Sequence, residues 1–72
     1  MIELRFHRDI YAGESVDEAL KVFERFATWE REQTDDAWVV RCSHDDTARE
    51  KKVANELANY ALGLTIRRGG AT

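Results

Sequence analysis

The chain contains no proline and one cysteine, and it has no long hydrophobic run. A chain without proline is expected to consist mostly of helices and strands joined by short turns. The single cysteine, Cys42, excludes an intramolecular disulfide and a zinc site built from several cysteines, so we expect a reducing, cytoplasmic location. No apolar run approaches the roughly 20 residues that span a bilayer, and the alternating N-terminal residues predict no signal peptide, so no membrane contact is expected.

An excess of basic residues is also missing: the formal net charge is −3 and the pI is about 5.3. Proteins that bind nucleic acid are usually basic, so nucleic acid is not an expected partner. The 72 residues allow one small domain, and an apolar content of 43% is too high for a disordered tail. A core of this size supplies only about 3–5 kcal/mol, which favours a domain that works with a partner.

The N-terminal half predicts a strand followed by a helix. Apolar and charged residues alternate over 2–10, which indicates a half-buried strand. Gly13 is predicted to lie in the turn that follows, because glycine adopts a positive φ without strain. Ser15 and Glu18 match a capping box, and apolar residues then repeat at helical spacing, which predicts a helix over 16–31.

The C-terminal half repeats this order. β-branched and aromatic residues over 37–42 predict a second strand. A second capping box begins at Thr47, and the two aspartates shortly before it are expected to cap and complement the helix. Gly63 is placed to end this helix. Residues 64–66 are predicted to form either a short third strand or a helical extension.

The predicted fold class is α+β. We expect a small two-layer β-α-β-α domain over 1–68, with two helices on a two- or three-stranded sheet, and a flexible tail at 69–72. Two helices cover one face of such a sheet and leave a strand edge unpaired. Because unpaired backbone groups are a template for another strand, the edge of 37–42 or of 2–10 is expected to bind an extended peptide or a second copy of the chain.

Cys42 and His44 are the residues most suggestive of chemistry. On a continuing strand they would share a face, as a nucleophile with its base or as half of a zinc site completed by His7, Asp45 or Asp46. The favoured interpretation is a small buried cysteine at a strand end, followed by a loop histidine and capping aspartates. No catalytic residue, metal ligand or cofactor is therefore predicted.

Two tryptophans are many for so short a chain. Trp29 and Trp38 are candidates for partner binding, because tryptophan is enriched in interface hot spots, and membership of a small core is an equally open alternative. The segment ending in Gly69 and Gly70 is similar to the di-glycine tail of ubiquitin-like modifiers. Those folds begin with a β-hairpin, so an ordinary tail is favoured here.

The second predicted helix resembles the signature helix of the HxsD family, small proteins of the His-Xaa-Ser peptide-maturation systems. The family motif runs Leu-Leu-Asn-Asp-Tyr-x-Leu-Arg-Glu, and Leu57, Tyr60 and Leu62 match it by identity. The stretch after the first strand is also similar to the family, as is the order of elements. The resemblance therefore covers most of the chain.

The resemblance implies an accessory role in the maturation of ribosomally made peptides (RiPP maturation) beside a radical-SAM enzyme. The chain is then expected to be non-catalytic and to bind the maturase, the leader of its precursor peptide, or both. The iron–sulfur cluster would belong to the enzyme, because one cysteine cannot supply four ligands. The expected contact residues are Trp29, Trp38, Val39, Asn55, Asn59 and Tyr60. The alternatives are a self-associating homodimer and, ranked below it, a ubiquitin-like tail protein or a small Cys/His metal protein.

Overall fold

The computed structural model describes residues 1–69, and the last three residues of the predicted tail lie outside this range. The chain forms a small α+β domain, as predicted, but its element order is β-α-β-β-α. The elements are β1 (Ile2–His7), α1 (Gly13–Phe23), β2 (Thr28–Gln33), β3 (Ala37–Ser43) and α2 (Thr47–Arg67). The sheet has three strands, within the predicted number, but the third strand lies in an unexpected part of the sequence.

The sheet is antiparallel throughout, with the strand order β1-β3-β2. β3 is therefore the central strand, and both of its sides are occupied by ladder hydrogen bonds. The prediction that the edge of 37–42 is free is wrong for this reason. β1 does lie at an edge, and so does β2.

The two helices pack on one face of the sheet, and the core lies between them. Phe6 of β1 and Val40 of β3 meet Leu57 and Ala61 of α2 in this cluster, all nearly inaccessible to solvent. The opposite face of the sheet is polar. There Arg41 of β3 forms ion pairs with Glu3 on one neighbouring strand and Glu32 on the other.

The predicted helix over 16–31 is wrong beyond Phe23, where α1 ends. The Phe23 carbonyl accepts hydrogen bonds from the Phe26 backbone N–H at 3.0 Å and the Trp29 indole N–H at 2.9 Å, which turns the chain back. Residues 28–33 then pair with β3 as a polar edge strand. Their Glu, Arg and Gln side chains favour a helix locally, and tertiary pairing overrides that preference.

The start of α1 also differs from the prediction. The helix begins at Gly13 with Ala12 as its N-cap, and no side chain caps it. Ser15 is buried and does not form the predicted capping box. Glu18 instead approaches Arg68, 3.8 Å away at the end of α2. The predicted first strand is shorter too, because backbone N–H groups of the following turn bond to the His7 carbonyl.

α2 is longer than predicted. Asp46 caps it by accepting a hydrogen bond from the Arg49 N–H at 3.1 Å, which confirms the capping role of this aspartate. The predicted stop at Gly63 is wrong, since Leu64 and Thr65 continue the buried stripe of the helix. Residues 64–66 are thus the helical extension, one of the two predicted outcomes. The C-terminal glycine with positive φ is Gly69, at +82°.

Candidate functional site

The free edge of β2 presents the backbone N–H and C=O groups of every second residue. A tight hairpin joins β2 to β3, and the Thr34 N–H donates to the Ala37 carbonyl at 2.9 Å. Hydrogen-bonded and non-bonded pairs alternate along an antiparallel ladder. Because Thr34 and Ala37 form a hydrogen-bonded pair, every second residue back along β2 from Gln33 belongs to a non-bonded pair. The N–H and C=O groups of Trp29, Arg31 and Gln33 therefore point away from β3.

A groove of about 550 Å³ lies beside this edge, between β2 and α1. α1 runs antiparallel to β2, because Asp17 contacts Arg31 while the Phe23 carbonyl contacts Trp29. Leu20 and Trp29 supply the apolar part of the lining. Alternate side chains of a strand added to β2 would point toward the helices and enter this groove, since those of Trp29 and Arg31 already do so on the neighbouring strand.

Charged side chains line the two ends of the groove. Those of Asp17, Lys21, Glu24 and Arg31 face it, whereas Glu30 lies opposite Arg41 in the register and turns its carboxylate to the other face of the sheet. Asp17 is paired with Arg31 at 2.6 Å, and Glu24 makes no ion pair within residues 1–69. The carboxylate of Glu24 therefore lies without an ion-pair partner among these residues, at the end of the groove where α1 ends and β2 begins.

Both tryptophans are half-buried and hydrogen-bonded to backbone. The Trp29 indole donates to the Phe23 carbonyl and holds β2 against α1. The Trp38 indole donates to the Tyr11 carbonyl at 3.0 Å, and the guanidinium groups of Arg8 and Arg31 lie 4.7 and 5.2 Å from its ring centroid. Both rings pack against the core, and Trp29 also lines the groove.

The other expected contact residues lie on separate surfaces. Val39 faces away from the helices and is only 2% exposed, between Arg5 and Glu32 on the adjoining strands. Asn55 and Asn59 are exposed, one turn apart on α2. Tyr60 packs edge-on against Phe23, with ring centroids 5.7 Å apart. The six expected residues therefore do not converge, and only Trp29 lies in the groove beside β2.

The residues that line the groove were not anticipated, because the helix predicted over 16–31 includes the first four residues of β2. In such a helix Leu20 lies on the apolar stripe, and Glu24 and Arg31 lie on the solvated side. A signal was present in the sequence: Trp29 follows a threonine, and an Asp-Asp turn precedes β3. A short polar turn between two extended segments is typical of a β-hairpin.

Cys42 and His44 make separate contacts. The Cys42 thiol is buried, which raises its pKa, and it points toward the Glu50 backbone oxygen at 3.9 Å. Nδ1 of His44 accepts a hydrogen bond from the Asp46 N–H at 2.9 Å. Within the described part of the chain, no group of three His, Cys, Asp or Glu side chains is placed to hold a metal ion. The prediction that Cys42 is buried near the end of a strand is confirmed.

Comparisons with protein-family models, with curated proteins and with solved structures give no match. Neither helix in residues 1–69 is long and apolar enough to cross a membrane. The free edge of β2 and the groove beside it are thus the features on which a functional proposal is built.

Proposed function

We propose that this chain is a non-catalytic, cytoplasmic accessory protein that holds an extended peptide as a fourth strand on β2. The outward N–H and C=O groups of Trp29, Arg31 and Gln33 supply the backbone hydrogen bonds, and the groove beside α1 receives alternate side chains. This is β-augmentation, in which main-chain bonds give affinity and pockets for alternate side chains give specificity. The observation that carries the proposal is the free edge of β2 with a groove alongside it.

β2 is favoured over β1, the other edge strand, for a structural reason. The outward backbone groups of β1 belong to Glu3, Arg5 and His7, because the Arg8 N–H donates to the Asp36 carbonyl and bonding alternates from there. The groove of about 550 Å³ lies between the inner side of β2 and α1, and it is lined by Leu20 and Trp29. A peptide on β2 therefore gains side-chain contacts as well as backbone bonds.

The setting of this activity follows from the resemblance to the HxsD family. The peptide would be the leader of a ribosomally made precursor, and the catalytic partner would be a radical-SAM maturase. The exposed asparagines of α2, Asn55 and Asn59, are available for contact with that enzyme. A gene for such an enzyme and a short precursor reading frame are expected beside the gene for this chain. Neighbouring genes of unrelated function would contradict this setting.

The decisive test compares two substitutions at the same residue. Arg31→Ala and Arg31→Pro both lose the ion pair with Asp17 and the contact with Trp38, but only proline removes the outward N–H. Proline is tolerated at an edge whose N–H faces solvent, so the β2–β3 ladder is kept. We expect the precursor peptide to bind the Ala variant and to bind the Pro variant at least ten-fold more weakly, measured by fluorescence anisotropy.

Folding is checked by circular dichroism and urea unfolding of both variants. If the folded Pro variant binds the peptide as tightly as the Ala variant, the free edge of β2 is not the binding site. Light scattering separates the main alternative: a dimer independent of concentration, with no affinity for peptide, would show that a second copy seals this edge.

A further inference from the structure

We infer that the peptide bound on β2 carries a Lys or Arg two positions from an apolar residue, both directed into the groove. This inference rests on the proposed function and specifies the peptide that the edge selects. It follows from where the groove is apolar, where it is charged, and how far apart those two parts lie.

The apolar part of the groove is central. Leu20 of α1 and Trp29 of β2 line it, and the Trp29 ring is fixed by its hydrogen bond to the Phe23 carbonyl. A polar side chain placed against these two would lose water contacts without gaining hydrogen-bond partners, which is unfavourable. The inward position of the peptide nearest to Leu20 and Trp29 is therefore apolar.

The charged part lies one helical turn further along α1. Glu24 lines the groove there and has no ion-pair partner within the described residues. Lys21 also lines the groove, but it lies on the side of α1 that carries Asp17 and Glu18. At the opposite end of the groove, Asp17 is already neutralised by Arg31 at 2.6 Å. An incoming cation is thus attracted to the end near Glu24, and an incoming carboxylate is repelled from it.

The spacing of these parts matches the repeat of a strand. Leu20 and Glu24 are four residues apart on α1, which corresponds to about 6 Å along the helix axis. Side chains on one side of a strand are two residues apart, which corresponds to about 6.7 Å. An apolar side chain beside Leu20 and a cation beside Glu24 are therefore reached by consecutive inward positions of one extended peptide.

The test uses synthetic probes and a matched pair of charge reversals. One probe is a labelled threonine-rich peptide with Leu and Lys two positions apart, and the second carries Glu in place of Lys. Glu24→Lys reverses the charge in the groove, whereas Glu56→Lys makes the same change in net charge on exposed α2, away from the groove. Affinities are measured by anisotropy at low ionic strength and again in high salt.

We expect the parent protein to bind the Lys probe about five-fold more tightly than the Glu probe, as for an exposed ion pair screened by salt. Glu24→Lys reverses this preference, and Glu56→Lys keeps it. Equal effects of the two substitutions would overturn the inference, because net charge alone would then explain them. Equal binding of both probes, still abolished by Arg31→Pro, would overturn the inference and leave the proposed function standing. Binding that Arg31→Pro does not weaken would overturn both.

Discussion

At the scale of single residues, the closest constraint is the contact between Gly13 and Trp38. A Cβ atom at Gly13 would lie 2.9 Å from the Trp38 ring, closer than carbon atoms pack. The ring cannot move aside easily, because its N–H is bonded to the Tyr11 carbonyl and two guanidinium groups lie near it. Glycine at the start of α1 thus lets the helix approach the central strand.

Gly13→Ala is expected to destabilise the fold by about 1–3 kcal/mol, the usual result of inserting atoms into a filled space. The physical reason is the overlap with the Trp38 ring, which must shift and weaken its hydrogen bond. The measurement is urea unfolding followed by tryptophan fluorescence.

Gly63→Ala is the matched control for this substitution. Gly63 lies inside α2, and no atom is within 4 Å of a Cβ placed there. Alanine is favoured over glycine in a helix interior, so we expect a gain of about 0.5–1 kcal/mol. Destabilisation of similar size in both variants would contradict the steric explanation at Gly13.

At the scale of elements, Glu50 links three parts of the chain. Its carboxylate accepts a hydrogen bond from the His44 N–H at 3.0 Å, just after β3, and lies 3.3 Å from the Met1 amino group, just before β1. Glu50 itself is buried in the first turn of α2. The hydrogen bond from His44, and then the nearby amino group, lower the pKa of Glu50 despite its burial.

This arrangement predicts a pH-dependent stability. A carboxyl group whose pKa is lower in the folded chain stabilises the fold in its ionised form. The stabilisation by ionised Glu50 is complete above about pH 4.3, the ordinary pKa of a glutamate in the unfolded chain. It is lost as the pH falls through the lower pKa that Glu50 has in the folded chain. We expect Glu50→Gln to lower the urea midpoint at pH 7, and the difference from the parent protein to shrink below about pH 4.

Glu56→Gln serves as the control for this prediction, because Glu56 is exposed on the same helix. Its urea midpoint is expected to follow that of the parent protein at each pH. A difference for Glu50→Gln that stays constant down to low pH would show that shape, and not charge, makes this residue important.

At the scale of the whole molecule, the domain leaves much of its sheet uncovered. Two helices occupy one face, and no strand among residues 1–69 pairs with the outer edge of β1 or of β2. Charged side chains protect the open face, with Arg41 joined to Glu3 and Glu32. Edge strands with charged side chains resist unspecific pairing, so a partner strand must match the site.

Peptide binding on β2 is therefore expected to stabilise the whole domain. At ten times its Kd, a ligand that binds only the folded state adds about 1.4 kcal/mol. For a domain of this size, that corresponds to a rise in Tm of about 6–11 °C. Differential scanning fluorimetry with the Leu/Lys probe measures this shift. The Arg31→Pro variant should show little of it, and an equal shift would contradict binding at the edge.

Some of the fold was predictable from local signals. The alternation in β1, the β-branched run of β3 and the buried stripe of α2 appear in the sequence because each side chain in these elements faces either the core or the solvent. The capping by Asp46 was predictable because it joins residues only three positions apart. The candidate site was not, since Trp29 and Arg31 carry no alternation and their neighbours favour a helix.

The sequence by itself determined the class of this protein: a small acidic α+β domain without a disulfide, with both helices on one side of its sheet. The spacing of apolar residues and the composition are enough to assign this class, because they indicate which faces of the helices and strands are buried. Only the tertiary structure decided that residues 28–33 form a strand and that β3 lies in the centre. Those features depend on contacts between segments, as in the pairs of Arg41 with Glu3 and of Arg31 with Asp17, which no local pattern encodes.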